Sequence, residues 1–292
     1  MIDKIAIIGA GYLGKGIARA VAAQRIEVYL KDVDEETVRE AIGQIAENID
    51  FEIERWALTK SEKNAIMDRI HILREPDDLA GIPLVIEAVP EDLQVKKGVF
   101  AAIDQLFPPE TIFATNTSVL SITELGAATR RPDKVIGFHF LHPPHKHDVV
   151  EVVKGLRTSP ETVQAIIAFA QQIGKTPIEV FENPGYVTSR LILAFIAEAI
   201  MIAMEGVASP VNIDKAMRLG FGFHMGPLEL ADRIGLDEVE KRLKYLADEL
   251  GDNRFRPHVL LRKMVHAGDL GVKTGRGFFT YNEDGKRLDN DD

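Results

Sequence analysis

A histidine and a glutamate lie twelve residues apart in two apolar, β-rich runs of the chain. His139 lies in Val135–Phe140, and Glu151 lies in Val149–Val153. If these runs form the strands of a strand-loop-strand unit, the two side chains can meet. Imidazole can take a hydroxyl proton near neutral pH, and a carboxylate on its other nitrogen would fix the tautomer and stabilise the imidazolium. The spacing therefore indicates oxidation of an alcohol, with a structural strand histidine as the alternative.

Metal binding is a second chemistry that the same segment could support, because it is rich in imidazole and carboxylate groups. These groups are His139, His142, His145, His147, Asp148 and Glu151. Pro143 and Pro144 lie within the cluster, and nothing in it supplies a fixed helical i, i+4 spacing. We therefore predict no metal site, and we interpret His145 and His147 as solvated loop residues.

A glycine-rich turn near the start of the chain is a candidate cofactor site. The turn consists of Gly9, Ala10, Gly11, Tyr12, Leu13 and Gly14, between a predicted strand and a predicted helix. Glycine permits a tight turn and the close approach of a pyrophosphate, which would bind at the helix N-terminus. Asp32 follows Gly14 by 18 residues, close to the spacing of a carboxylate that binds the adenosine ribose. Because this carboxylate would repel a 2′-phosphate, we predict NAD rather than NADP; a turn without a ligand is the alternative.

The first part of the chain alternates predicted strands and helices, which is typical of a doubly wound α/β domain. The predicted strands are Lys4–Ile8, Glu27–Lys31, Leu84–Ala88, Thr111–Thr115, Val135–Phe140, Val149–Val153 and Ile178–Phe181. The clearest helices are Gly14–Gln24, Glu35–Trp56, Leu93–Leu106 and a segment near Glu161–Gln172. Several strands are apolar almost throughout, as expected for a parallel sheet that is covered on both faces.

The pattern changes at Asn183-Pro184-Gly185, a strong breaker of regular structure. We place a domain boundary there, with a Rossmann-like NAD-binding domain at 1–183 and an all-α domain at 184–292. Predicted helices occupy Tyr186–Glu205, a segment after Pro210, a segment from Pro227, Leu236–Leu250 and Pro257–Ala267. No convincing strand follows residue 183, and we expect the acidic tail Asp289–Asp292 to be frayed.

Composition restricts the class of protein. The 45 acidic and 35 basic residues give a formal charge of −10, which argues against a nucleic-acid partner. With no cysteine, the chain has no disulfides, thiolate metal ligands or cysteine nucleophiles. The opening apolar run, Ile5–Ile8, is too short for a signal-peptide core. Leu191–Met204 contains Glu198 and falls short of the ~20 residues of a membrane span, so we expect a buried helix there and a cytoplasmic protein.

Ordered motifs along nearly the whole chain make it resemble the L-3-hydroxyacyl-CoA dehydrogenase family, including bacterial 3-hydroxybutyryl-CoA dehydrogenases. Besides the glycine-rich turn, the motifs are Val85–Glu91, Asn116–Ser118, Gly137–Phe140, Val150–Val153, Met225–Asp232 and Lys273–Phe279. The resemblance implies reversible, NAD-dependent oxidation of an (S)-3-hydroxyacyl-CoA to the 3-ketoacyl-CoA. It also implies an active site in the cleft between the domains and a homodimer built through the helical domain.

The resemblance also implies roles for individual residues. His139 corresponds to the catalytic base and Glu151 to its orienting partner, while Ser118 would bind the substrate oxygen beside the nicotinamide. Positions that contact the cofactor or CoA in the family correspond to Glu91, Lys96 and Lys273 for NAD and to Asn48 and Arg55 for CoA. A solvated surface charge is the alternative for Arg55, which lies outside any recognisable motif.

Two residues depart from the family pattern. His142 replaces an asparagine that contacts the cofactor, and Ser189 replaces an asparagine that approaches the substrate. Neither change removes a proton-transfer group, so we expect the reaction class to be retained and the substrate preference to differ. A hydroxyacyl group on a carrier protein, or a free 3-hydroxy acid, is an alternative substrate. An NAD-binding protein without turnover is an alternative from another functional class.

Overall fold

The structure is a computed structural model that describes residues 1–55, 57–74 and 81–288. The chain divides into two compact units, Met1–Asn183 and Pro184–Asp292. The predicted end of the second helix at Trp56 and the predicted frayed tail at 289–292 lie outside the described residues.

The first unit contains an eight-stranded sheet with the strand order β3-β2-β1-β4-β5-β6-β7-β8. The strands are β1 (Lys4–Ile8), β2 (Glu27–Lys31), β3 (Ile70–Ile72), β4 (Leu84–Glu87), β5 (Ile112–Thr115), β6 (Val135–Phe140), β7 (Val149–Lys154) and β8 (Thr176–Phe181). The first six strands are mutually parallel, β7 is antiparallel to β6, and β8 is parallel to β7. The order 3-2-1-4-5-6 is that of a doubly wound dinucleotide-binding sheet, so the predicted α/β class is confirmed.

Helices connect these strands. They are α1 (Tyr12–Ala22), α2 (Glu35–Glu54), α3 (Lys60–Met67), α4 (Leu93–Leu106), α5 (Ile122–Ala127) and α6 (Pro160–Gln172). The short elements α3, β3 and α5 were absent from the sequence prediction. A usable signal did precede α3, because Thr59 and Glu62 form a capping box. The three-residue β3 has too few positions to show a period.

Burial of the central strands explains why they hold the site rigidly. All residues of β4 and β6 are buried, and Phe138 in β6 packs on Phe169 of α6 with ring centroids 5.9 Å apart. Each such side chain contributes about 1.5–3 kcal/mol when fully removed from water. The edge strand β8 is largely exposed, with Phe181 73% exposed. The polar side chains of these strands therefore extend from a closely packed support.

The second unit is helical, as predicted. Its helices are α7 (Thr188–Met204), α8 (Pro210–Phe221), α9 (Pro227–Ile234), α10 (Leu236–Leu250) and α11 (Val259–Ala267). Only isolated β-bridges, between residues 271 and 287, occur in its described part. The apolar segment predicted as a buried helix is buried on one side only, because Leu191 is 66% and Met204 is 44% exposed.

The buried carboxylate of Asp232, in α9, holds the segment that contains the isolated β-bridges, between residues 271 and 287. Asp232 accepts hydrogen bonds from the amides of Phe278 and Phe279, both at 2.9 Å, and from the Tyr281 hydroxyl at 3.0 Å. Burial raises the pKa of Asp232 to about 6, and the neighbouring Asp214 carboxylate also raises it. Gly277 leaves room for this contact, since a Cβ there would lie 2.0 Å from an Asp232 oxygen.

The helices in residues 1–55, 57–74 and 81–288 include none with both the length and the hydropathy that crossing a bilayer requires.

Candidate active site

Strand register brings His139 and Glu151 together. In the antiparallel pair of β6 and β7, the two residues are direct partners, so their side chains lie on the same face of the sheet. His139 Nδ1 lies 2.6 Å from Glu151 Oε2, and the two residues are 6% and 0% exposed. A carboxylate only accepts, so Nδ1 carries the hydrogen and donates it. With Nδ1 engaged in this contact, Nε2 is the ring nitrogen that can exchange a proton.

Ser118 and Glu91 follow neighbouring parallel strands and meet at the carboxyl edge of the sheet. Ser118 lies beyond β5, and Glu91 lies beyond β4. Glu91 Oε1 accepts from the Ser118 amide at 2.8 Å, the Ser118 hydroxyl at 3.2 Å and the Thr117 hydroxyl at 2.6 Å. Three donors on one carboxylate oxygen hold the Ser118 side chain in a defined position.

Behind this group, Lys96 forms a buried ion pair that the sequence prediction missed. Its Nζ lies 2.7 Å from Glu87 Oε1 and 3.4 Å from Glu91 Oε2. Thr115 also donates to Glu87, at 2.6 Å. Burial raises the pKa of Glu87, while the Lys96 charge opposes that shift. An acidic residue at the end of an otherwise apolar strand was the signal that could have identified Glu87.

Asn116 is a second residue that the sequence prediction left without a role. Its side-chain oxygen accepts the backbone amide of Phe140 at 2.8 Å, and the residue is 5% exposed. The contact joins the end of β5 to the end of β6. It therefore fixes the backbone directly after His139.

The glycine-rich turn has the geometry of an anion site at a helix N-terminus. Gly9 has φ +107°, and a Cβ there would lie 2.6 Å from the Ala88 carbonyl oxygen. By contrast, a Cβ on Gly11 would meet nothing within 4 Å. The turn ends in α1, whose first amides have no acceptor within the helix. Close packing beneath the turn and open space at Gly11 fit the approach of a dinucleotide pyrophosphate.

Asp32 holds this turn while lying at the end of β2. Its Oδ2 accepts from the Ala10 amide at 2.6 Å, and its Oδ1 accepts from the Val33 amide at 2.7 Å. Each oxygen has a second lone pair that can accept from a ribose hydroxyl. The carboxylate thus fits the adenosine ribose of a dinucleotide without a 2′-phosphate.

The loop after β6 departs from the prediction at His145. The prediction of a solvated side chain is wrong, because His145 is half-buried and its Nε2 lies 3.5 Å from Glu52 Oε1 on α2. Packing of the loop against the helices removes water from this ring, and burial lowers its pKa. His147 is exposed, as predicted, and its Nε2 lies 2.8 Å from the His142 carbonyl oxygen.

His142 contacts the glycine-rich turn. Its Nε2 lies 2.7 Å from the Tyr12 hydroxyl oxygen, and the two ring centroids are 4.2 Å apart. Partial burial, with the charges of His145 and His147, lowers the pKa of His142 to about 4. The imidazole is therefore neutral at physiological pH.

Four other residues predicted from the sequence lie outside the contacts of His139, Ser118 and Asp32. Asn48 and Arg55 are exposed on α2 and just beyond its end, while Ser189 is partly buried in the first turn of α7. Lys273 forms an ion pair with Asp237, with 2.5 Å between Nζ and Oδ1. Among the described residues, no three histidine, aspartate or glutamate side chains are grouped so as to hold a metal ion.

Comparison with known proteins gives consistent matches along the chain. Residues 4–183 match the NAD binding domain of 3-hydroxyacyl-CoA dehydrogenase, and residues 185–281 match the C-terminal domain of the same family. A probable 3-hydroxybutyryl-CoA dehydrogenase of Bacillus subtilis is 42% identical over 97% of this chain and 98% of its own length. A 3-hydroxybutyryl-CoA dehydrogenase of Clostridioides difficile is 40% identical over 96% of this chain and 100% of its own length.

A solved structure is also similar. The crystal structure of an (S)-3-hydroxybutyryl-CoA dehydrogenase from Ralstonia eutropha superposes with a TM-score of 0.91 at 40% identity. The superposition covers 97% of this chain and 100% of that one. Both units of the present chain are therefore included in the likeness.

Proposed function

This chain belongs to the 3-hydroxyacyl-CoA dehydrogenase family, and from that premise we propose that it catalyses reversible, NAD-dependent oxidation of (S)-3-hydroxyacyl-CoA to 3-ketoacyl-CoA. The observation that carries the proposal is the 2.6 Å contact between His139 and Glu151. It supports a general base at the carboxyl edge of a sheet whose first turn fits a dinucleotide. Family membership alone would be compatible with a chain that had lost turnover.

His139 is the base in this proposal. Its Nε2 takes the proton of the substrate 3-hydroxyl while hydride leaves C3 of the same substrate, so the alcohol becomes a ketone. NAD, when bound, supplies the hydride acceptor. Glu151 holds the ring through Nδ1 and stabilises the imidazolium that forms. In the reverse direction, the same imidazolium returns the proton to the alkoxide oxygen.

Ser118 binds the oxygen that reacts. Its single hydroxyl hydrogen, which Glu91 Oε1 accepts in the structure, turns to O3 of the substrate, while the hydrogen bond from its amide to Glu91 keeps Ser118 in place. Holding O3 and C3 near the base and the nicotinamide removes part of the entropic barrier. Lys96 acts on Ser118 indirectly. Its ammonium group contacts the carboxylates of Glu87 and Glu91, and Glu91 holds Ser118.

The glycine-rich turn would hold the pyrophosphate of NAD, and Asp32 would bind its adenosine ribose. Glu91, His142 and Lys273 complete the set of side chains that we assign to NAD. On the substrate side, Asn48 and Arg55 contact CoA, and Ser189 contributes to acyl selectivity. The exposed guanidinium of Arg55 gives a negatively charged CoA a local cation on a protein with net charge −10.

A homodimer through the helical unit and a cytoplasmic location complete the proposal. Large apolar side chains are exposed on α7 and α8 or just after them, namely Leu191, Met204, Val207, Leu219, Phe221 and Phe223. An apolar groove of about 230 Å³ between α7 and α8 lies in the same unit. Such a concentration of apolar surface supports contact with a second copy.

The test is NADH formation from 3-hydroxyacyl-CoA substrates of C4 to C16 chain length, followed by absorbance. We expect turnover with the acyl-CoA series and much lower kcat/KM with the matching free acid or a carrier-protein thioester. Preference for either of those would change the substrate class. Tight NADH binding with no turnover on any substrate would favour a non-catalytic NAD-binding protein.

A further inference from the structure

Asn116 lies directly after β5, at the carboxyl edge of the sheet. Its side-chain oxygen accepts the backbone amide of Phe140 at 2.8 Å, and both residues are buried. Its own backbone amide donates to the Glu87 carbonyl oxygen at 2.9 Å, which continues the ladder between β4 and β5 past Thr115. The side chain that holds Phe140 is therefore itself fixed at its backbone.

Regular pairing between β5 and β6 ends before it reaches the proposed base. The last pair is Thr115 with Gly137, and His139 lies two residues beyond it. On the other side of β6, pairing with β7 continues as far as Phe140. The hydrogen bond from the Phe140 amide to Asn116 takes the place of the ladder on the β5 side. The end of β6 is thus held from both neighbouring strands.

The segment that contains Asn116 also carries Ser118, two residues later. Glu91 accepts from the Ser118 amide at 2.8 Å, so the segment is attached to the chain that follows β4. Asn116 attaches the same segment to Phe140, the residue next to His139. The residue that we assign to the substrate oxygen and the proposed base are therefore connected through Asn116. Loss of this contact would alter the position of one relative to the other.

We propose that Asn116 is a positioning residue for the proton transfer, and that it holds the backbone of His139 in register with Ser118. The inference rests on the proposed function, since it takes His139 as the base. The proton leaves O3 while hydride leaves C3, so the base must meet O3 in a narrow range of geometries. Glu151 fixes the rotation of the imidazole ring, and Asn116 fixes the strand from which the ring extends.

Steady-state kinetics of Asn116→Leu in the full-length protein test this role, because leucine has a similar shape and no acceptor. We expect kcat to fall about tenfold or more, since a misplacement of about 1 Å can cost about 10²-fold. The KM of the acyl-CoA and the Kd of NADH should change less than about twofold, as expected when only the transition state is affected. The profile of kcat against pH should keep its shape, because His139 retains Glu151. Asn116→Asp keeps an acceptor oxygen and should recover most of the lost kcat.

A double variant shows whether Asn116 acts through the base. Asn116→Leu with His139→Gln should have a kcat within about twofold of that of His139→Gln alone, since residues that act as a unit have non-additive effects. Gln172→Leu is the matched control. The Gln172 side chain likewise accepts a backbone amide, that of Ile2 at 3.0 Å, but it does so before β1, at the opposite edge of the sheet. This variant should keep the parental kcat.

Four results would overturn the positioning role. Near-parental kcat in Asn116→Leu would mean that the contact supports only the fold, and multiplied losses in the double variant would mean that Asn116 acts independently of His139. A large rise in the Kd of NADH would mean that Asn116 contacts the cofactor directly. An aspartate variant as slow as the leucine variant would mean that the amide nitrogen, rather than the oxygen, is required.

Asn116→Ala removes the same oxygen and replaces Asn116→Leu in these measurements if the leucine variant does not fold. A parent protein that forms no NADH from any 3-hydroxyacyl-CoA would refute the proposed function itself, and the positioning role with it. A parent that turns over, with variants that behave in any of the four ways above, would refute the positioning role alone.

Discussion

Lys96 and Glu87 form an ion pair from which water is excluded. Their side chains are 2% and 0% exposed, and Nζ lies 2.7 Å from Oε1. Lys96 also reaches Glu91, which holds Ser118, so the pair supports the position of a residue that we assign to the substrate. Removing one partner of a buried pair leaves a charge without compensation, whereas removing both need not.

Lys96→Met should therefore lower the free energy of unfolding by about 3–5 kcal/mol, the usual cost of an orphaned buried charge. The double variant Glu87→Gln with Lys96→Met should recover a large part of that loss. Urea unfolding of the parent and the variants measures both effects. Equal losses in the single and the double variant would show that the charges are not coupled.

The dyad makes a separate kinetic prediction. His139→Gln should lower kcat by about 10²–10⁴, the range for loss of a general base, while NADH still binds. Glu151→Gln should also lower kcat, because the amide cannot stabilise the imidazolium by charge. Steady-state assays and NADH titration give both values.

Glu179→Gln serves as the control for Glu151, since Glu179 is exposed on the neighbouring strand β8. It should keep the parental kcat. Near-parental turnover by His139→Gln would refute the assignment of the base. Treatment with a chelator should leave the parent active, and a loss that zinc restores would instead indicate a metal site.

Asp32 should determine the choice of cofactor. Its carboxylate would repel the 2′-phosphate, so kcat/KM for NAD should exceed that for NADP by at least about tenfold, or roughly 1.4 kcal/mol. Asp32→Ser should narrow the ratio mainly by weakening the use of NAD, because Asp32 also holds the Ala10 amide. Equal use of both cofactors by the parent would contradict the prediction.

Ser189→Asn should shift substrate preference and leave the reaction intact. Asparagine offers a longer side chain with a donor and an acceptor, and contacts of this size are worth about 1–3 kcal/mol of discrimination. Relative kcat/KM values for C4, C8 and C12 substrates should change by a few-fold. Val187 precedes α7 without a side-chain cap, and a helix-capping role for Ser189 is the alternative. Ratios that stay within about twofold, near 0.4 kcal/mol, would favour that alternative.

Asp232 should give the helical unit a pH-dependent stability. Its pKa in the folded protein is about 6, above the usual aspartate range, so the folded state keeps a proton that the unfolded chain has released. Its contribution to stability is therefore greatest below about pH 4 and declines as pH rises to 6. The Asp214 charge raises the pKa of Asp232, the Tyr281 hydroxyl that donates to Asp232 lowers it, and Glu229 and Arg233 act on Tyr281.

Urea midpoints measured between pH 4 and pH 7 test this dependence. Asp232→Asn cannot titrate, so the variant should lack the decline that the parent shows over this interval. The difference between the two curves isolates Asp232 from the other carboxylates. Parallel curves would show that the aspartate titrates in its usual range.

Local sequence patterns were sufficient to predict much of the fold of this protein. The apolar runs, the glycine-rich turn and the proline and glycine breakers each act over a few residues, so the doubly wound class was predicted from the sequence. It could also be predicted that His139 and Glu151 face each other, because one short connection links their strands. For the short β3 and α5, a few residues carry too little pattern to identify an element.

Contacts between distant parts of the chain depended on the order of strands in the sheet. Three such contacts join separate elements. They are the ion pair of Lys96 with Glu87, the hydrogen bonds of Ser118 to Glu91 and the contact of Tyr12 with His142. Which carboxyl ends become neighbours is decided when the sheet assembles, and no spacing along the chain encodes it. The prediction for His145 was wrong for the same reason, since the ring contacts Glu52 on a helix 93 residues earlier.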